Sequence, residues 1–178
     1  MLPLVVESVN LLLSALLVGA MFCVWLVFNP SQLDATHYII LQQQGIRTLH
    51  PIMPGLGGIT VLLSVAAAVL ARDNKMRMSL LIGTAILFIV SGLITRFANM
   101  PINAVVRGWN SSAPPDHWTT MRDAWWRWHC RRLCSGLAGL VLLVIATLAR
   151  RPSSIQIDAM TVCRPLFGAL MRTICLLF

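Results

Sequence analysis

Val9 to Phe28 is a run of 20 residues without a charge. As a helix it covers ~30 Å, the thickness of a bilayer's hydrocarbon core. Three more apolar runs follow, at about 52–71, 78–98 and 128–149, with Arg96 near the end of the second of them and Arg131 and Arg132 near the start of the last. Backbone polar groups in hydrocarbon must be satisfied within their own segment, so each run reads as a helix. The connections are short, so consecutive spans alternate in direction. Residues 1–152 are therefore predicted to form an all-α, integral membrane, antiparallel four-helix bundle. Charged residues are only 11% of the chain against 57% apolar, which excludes an ordinary soluble domain.

Glu7 precedes the first run, no Lys or Arg does, and the run is too long for a cleavable core. It reads as a retained span and not a signal peptide. Gly19, Ala20, Gly83, Ser91 and Gly92 are expected at close helix contacts. Thr36 to Leu49 reads as a helix at the membrane surface. The next span opens on His50-Pro51-Ile52-Met53-Pro54-Gly55 and then Gly57-Gly58. So many breakers predict an irregular or kinked backbone, which membranes tolerate where protein or a cavity supports it. Arg72 to Arg77 is a tight charged turn.

Pro114-Pro115 breaks the chain and Asp116 is placed to cap the next helix. That helix is expected from His117 to Ala149, 33 residues or ~50 Å, so it projects beyond the hydrocarbon as an extended fourth helix. Residues 153–178 form a short C-terminal tail. Its apolar part is too short to span, and it is expected to lie on the membrane surface.

One face of the fourth helix carries chemistry. Trp118, Arg122, Trp125, His129 and Arg132 follow one another at steps of four and three. Such a stripe is costly beside hydrocarbon, so it either faces a protein interior or cavity, or forms an interfacial belt of Trp and snorkelling Arg. Four spans also bring the first and third connections to one membrane face. All four histidines, His37, His50, His117 and His129, belong to that face, as do Asn99, Asn103, Trp109 and Arg132.

The net charge of +8 arises from Lys and Arg flanking the apolar runs, which points to the bilayer as partner and not to nucleic acid. The basic residues divide evenly between the two faces. Setting aside Arg96, Arg122 and Arg132 as site residues tips the balance to cytoplasmic termini in a cytoplasmic (inner) membrane. The five cysteines include no C-x-x-C, so a thiol oxidoreductase is disfavoured.

Taken together, Asn99-Met100-Pro101-Ile102-Asn103 at the end of the third span, Trp109 soon after, and Trp125, His129 and Arg132 entering the fourth resemble the anthrone-oxygenase-like membrane proteins. The resemblance covers roughly Val9 to Ala149. It implies an oxygenase or oxidoreductase that uses O2 to oxidise a small apolar, aromatic substrate. An anthrone has an acidic C–H opposite a ketone, and its anion reacts with O2 directly. Such an enzyme needs a base, an anion stabiliser and a dry aromatic pocket.

In that reading His129 is the base and Arg132 the oxyanion partner. Asn99 and Asn103 either contact substrate or cap the helix around Pro101, while Trp109 and Trp125 offer flat surfaces. His50 is a further substrate-binding or catalytic group. No cofactor is required by the sequence and no metal-ligand cluster is present. A haem or metal held by His50 and His129 is the alternative, as is a non-catalytic membrane subunit. The spans, counted from Val9, hold no Asp or Glu, which disfavours a transporter.

Overall fold

A computed structural model describes residues 1–28 and 33–150. The expected surface tail, 153–178, lies outside the described residues. The structure is helical throughout its regular elements: α1 (Leu2–Val27), α2 (Ala35–Leu49), α3 (Met53–Leu70), α4 (Lys75–Ile94), a π turn (Thr95–Asn99), α5 (Met100–Arg107) and α6 (Trp118–Leu148). Four helical stretches are long and apolar enough to cross a membrane: α1, α3, the continuous Lys75–Arg107, and α6. The protein is an integral membrane four-helix bundle. Its spans close into a ring, α1 on α3, α3 on α4, α4 on α6 and α6 back on α1. Outward residues such as Leu12, Leu62, Val69 and Ile86 present a lipid-facing surface.

Helix α1 begins seven residues before the apolar run, which brings Glu7 inside the first span. The count of acid-free spans is corrected accordingly. Glu7 is only 1% exposed, and Arg77 Nη2 donates to its Oε1 at 2.6 Å. Arg150 Nη1 lies 3.6 Å from Oε2, and Arg77 Nε donates to the Ala146 carbonyl. Charges from α1, α4 and the end of α6 thus neutralise one another where the chain's basic turn meets the bundle, with Glu7 Oε2 and Arg150 Nη1 ion-paired but not hydrogen-bonded.

Neutral polar bonds join the spans deeper in the membrane. Asn10 Nδ2 donates to Ser64 Oγ at 3.0 Å, and Ser64 Oγ to the Thr60 carbonyl. Ser135 Oγ donates to the Leu87 carbonyl at 2.7 Å, tying α6 to α4. Such bonds contribute ~0.6–2 kcal/mol each in a bilayer. Gly136 and Gly139 allow close approach: a Cβ on Gly136 would lie 2.6 Å from Met21 Cε. Gly83 also sits at a contact, with Leu142. Gly19 and Gly92 do not, because a Cβ on either would meet nothing within 4 Å.

Two local expectations are replaced. The breaker-rich start of α3 forms regular helix from Met53, with Pro54 in the first turn, where a missing N–H costs nothing. No described residue has positive φ. Asp116 is not the cap of α6; His117 holds that position, without a side-chain cap bond.

Pro101 does not end the third span. Its ring would clash with the carbonyl four residues back in an α-helix. The π turn at Thr95–Asn99 widens the backbone just before it, and helix resumes as α5.

Helix α2 packs against α5. Asp34 caps it, accepting from the His37 N–H at 2.9 Å. This hydrogen bond holds the Asp34 carboxyl below its ordinary value of 3.8. Gln43 Nε2 donates to the Trp109 carbonyl at 2.8 Å and to the Val106 carbonyl at 3.1 Å, fastening α2 to the end of α5.

Candidate functional site

Between α2 and the ends of the spans lies a cavity of about 620 Å3, within the range of small-molecule sites. Its wall is mostly apolar, from Leu17, Met21, Val24, Ile46, Val61 and Phe88. Gly57, Gly58 and Gly92 leave it wide, since a Cβ on any of them meets nothing within 4 Å. The polar groups in the wall are Gln42, His50, Ser91, Thr95, Arg96, Asn103, Trp125 and Arg132. No Asp or Glu is among them.

His129 is not in that wall. The ring is fully buried, stacked on Trp125 at 5.1 Å and 4° and on Trp126 at 6.0 Å. Its Nε2 lies 3.1 Å from the Met21 carbonyl, which can only accept, so Nε2 carries the proton. Nδ1 is then a lone pair, and it accepts from Arg132 Nε at 3.0 Å and Nη2 at 2.8 Å. Both ring nitrogens are used. The expectation of a free histidine nitrogen facing the cavity is therefore corrected. For the same reason His129 has no nitrogen to share with His50 in ligating a haem or metal.

Arg132 does reach the cavity. Its Nη1 points to Thr95 Oγ1 at 3.4 Å. A guanidinium has five N–H bonds; three are directed at His129 and Thr95, which leaves two. The ion pairs among the described residues engage Arg77, Arg122, Arg150 and His37, and none engages Arg132. An arginine without a carboxylate thus stands at the wall of an apolar cavity, held in place by a neutral histidine.

Asn103 and Trp125 line the cavity together, with Trp125 Nε1 donating to Asn103 Oδ1 at 2.8 Å. Asn99 lies behind them, fully buried, its Nδ2 donating to the Trp125 carbonyl at 3.1 Å. Asn99, the last residue of the π turn, braces α6, while Asn103, one turn further on, faces the cavity. His50, the C-cap of α2, is exposed and lines the cavity, and its imidazole makes no hydrogen bond among the described residues. Trp109 is not in the wall. It sits past the end of α5, edge-on to His117 at 5.8 Å. The outer part of the stripe meets α2 instead, with Tyr38 against Trp118 and Arg122 over the Trp118 ring at 4.8 Å. Burial pushes the Tyr38 phenol well above its ordinary range.

The anthrone oxygenase family model matches residues 46–142, more than half of the chain. The chain belongs to the anthrone oxygenase family. No curated protein and no solved structure matches it. The anthrone oxygenase segment contains His50, Asn99, Asn103, Trp109, Trp125, His129 and Arg132. Two participants come from outside it: the Met21 carbonyl that fixes His129, and Gln42 in the cavity wall. Sequence reasoning missed both. A backbone carbonyl has no sequence signal. Gln42 had one, since it shares the buried face of α2 with Tyr38, Ile39 and Ile46.

Proposed function

We propose that this protein oxidises a small, planar aromatic ketone of the anthrone type with O2, inside the membrane. The observation that carries the reading is Arg132, an uncompensated cation at the wall of an apolar cavity. Such a site favours a ligand that becomes anionic there. A ketone whose α-type C–H is acidified by two rings fits, because its negative charge develops on oxygen.

The steps follow from the residues in the wall. The substrate ring lies against Trp125 with its ketone oxygen at the free N–H bonds of Arg132. His50, the unpartnered imidazole in the wall, takes a proton from the methylene carbon. The electron pair left behind delocalises onto the ketone oxygen, where Arg132 holds it. Dioxygen then accepts that pair at carbon, and return of a proton gives a hydroperoxide. Loss of water breaks the O–O bond and leaves a second ketone. One O2 is consumed, one water is released, and no other reductant is needed. His129 acts as a positioning residue, since its Nδ1 fixes the plane of the Arg132 guanidinium.

The membrane is a cytoplasmic one in this reading, with cytoplasmic termini, because Arg96 and Arg132 serve the cavity and not topology. Fusion reporters at the N-terminus test that placement; an external N-terminus would reverse it. Function is tested by turnover of anthrone in membranes. Arg132→Lys is expected to lose most activity, because an ammonium lacks the planar fork. His50→Ala is expected to lose ~10²-fold or more, as for loss of a general base. Full turnover in Arg132→Lys would overturn the reading.

A further inference from the structure

Helices α3 and α4 pack differently at their two ends. At one end Ala67, Ala68 and Ala71 of α3 form a buried cluster with Leu81 of α4, and the small side chains let the backbones close. The same two helix faces continue toward the cavity as Val61, Gly58 and Gly57 on α3 and as Ala85 and Gly92 on α4. Glycines within membrane helices ordinarily mark close contact. Here a Cβ on Gly57, Gly58 or Gly92 would meet nothing within 4 Å, so the two helices stand apart at this end.

The cavity reaches into that gap. On α4 its wall combines the buried Phe88 and Ser91 with the exposed Ile89, Gly92 and Arg96. On α3 it combines Val61, which packs on the core, with Leu62, which is 69% exposed. One residue cannot both line a cavity and face lipid unless the cavity opens there. Leu62 and Ile89 therefore form the two sides of a lateral opening, and both are hydrocarbon. Arg96 lies seven residues beyond Ile89, ~10 Å along the helix, toward the end of the span. An uncharged ring system gathers in hydrocarbon because its apolar surface leaves water, and this opening faces the hydrocarbon.

We infer that the ligand enters sideways from the bilayer, through a window between α3 and α4 bounded by Leu62 and Ile89. The protein then draws on apolar aromatic compounds dissolved in the membrane. The ligand's identity rests on the aromatic-ketone reading above, whereas the window rests on the splay of the two helices.

The test uses the full chain in phosphatidylcholine vesicles. The probe is a phosphatidylcholine whose acyl chain carries a benzophenone, an aromatic ketone that cross-links on illumination, ~10 Å below the headgroup, the depth of Ile89 relative to Arg96. Adducts are mapped by mass spectrometry. Met21 lines the cavity and is 6% exposed, so a ring tethered in the bilayer reaches it through the window. Leu93 is 50% exposed and outside the wall, so it reports ordinary lipid contact. Adducts on both are expected in the wild type. Leu62→Trp with Ile89→Trp is expected to lose most of the Met21 adduct and keep the Leu93 adduct. A wild-type map with Leu93 but without Met21 overturns the inference, whether or not the double variant folds, and leaves entry from water past the exposed His50. An unchanged Met21 adduct in a folded double variant overturns it as well. The readout needs no turnover: absence of anthrone oxidation beside a Met21 adduct removes the oxidation reading and keeps the window, and turnover without that adduct does the reverse.

Discussion

His129→Gln separates two roles that His129→Ala confuses. In the structure His129 makes two kinds of bond: Nε2–H to the Met21 carbonyl, and Nδ1 accepting from Arg132. A glutamine amide has one donor and one acceptor on similar reach, so it can reproduce both. It has no basic nitrogen. Alanine removes both bonds and empties the space between Trp125 and Trp126. Losing a neutral buried bond costs ~1 kcal/mol, and losing one to a charged group ~1.5–3 kcal/mol. The emptied volume adds to this, so His129→Ala is expected to lose ~3–5 kcal/mol and to express poorly. His129→Gln is expected to recover most of that stability and to keep turnover within about tenfold of wild type, well short of the ~10²–10⁴ lost with a general base. The assays are thermal unfolding in detergent and anthrone turnover in membranes. A stable His129→Gln protein with turnover down a thousandfold would refute the positioning role and restore the histidine as base.

Gly92→Leu should fold normally, since its side chain would enter open space, and should abolish anthrone binding measured by fluorescence; unchanged binding would place the ligand elsewhere. Glu7→Gln strands Arg77 and Arg150 and should cost ~3 kcal/mol or more in thermal unfolding, because breaking a buried pair leaves an uncompensated charge. Trp109→Phe should leave KM and kcat for anthrone unchanged, as the ring lies outside the cavity wall. Acidification should loosen the start of α2. The depressed Asp34 carboxyl contributes stability that is present above its ordinary value of 3.8 and is lost as pH falls through the lower folded value. Amide exchange at His37 monitors this, and rates that simply track solvent pH would argue against the cap.

The four spans were legible because hydrocarbon leaves a chain few choices, and a charge-free run of 20 residues has one stable form there. The stripe on α6 was legible for the same periodic reason. What periodicity could not supply is the partner of each position. Trp118 and Arg122 meet α2, Trp125 meets the cavity, and His129 meets the Met21 carbonyl, although all share one helical face. The first span was read from Val9 because charge normally marks a boundary, yet Glu7 is buried once Arg77 comes from another helix to meet it. Asn99 and Asn103 looked equivalent at a spacing of four, yet Asn99 is buried against the Trp125 carbonyl and only Asn103 faces the cavity.

The π turn before Pro101 also ties the third span to its chain length in a way that substitutions do not reveal. A wide turn is a helix holding one residue more than its α register needs. Deleting a single residue between Thr95 and Asn99 would remove that surplus: the helix would regain its regular register, the faces beyond would stay where they are, and Pro101 would face the carbonyl it now avoids. Tightening the same turn without removing a residue would instead rotate everything beyond by ~100°, the angle of one residue in an α-helix. Asn103 would then leave the cavity wall, and Trp125 and Gln42 would lose their shared acceptor. For this protein the surplus residue is what lets a proline sit within the third span while the binding face of α5 keeps its aim.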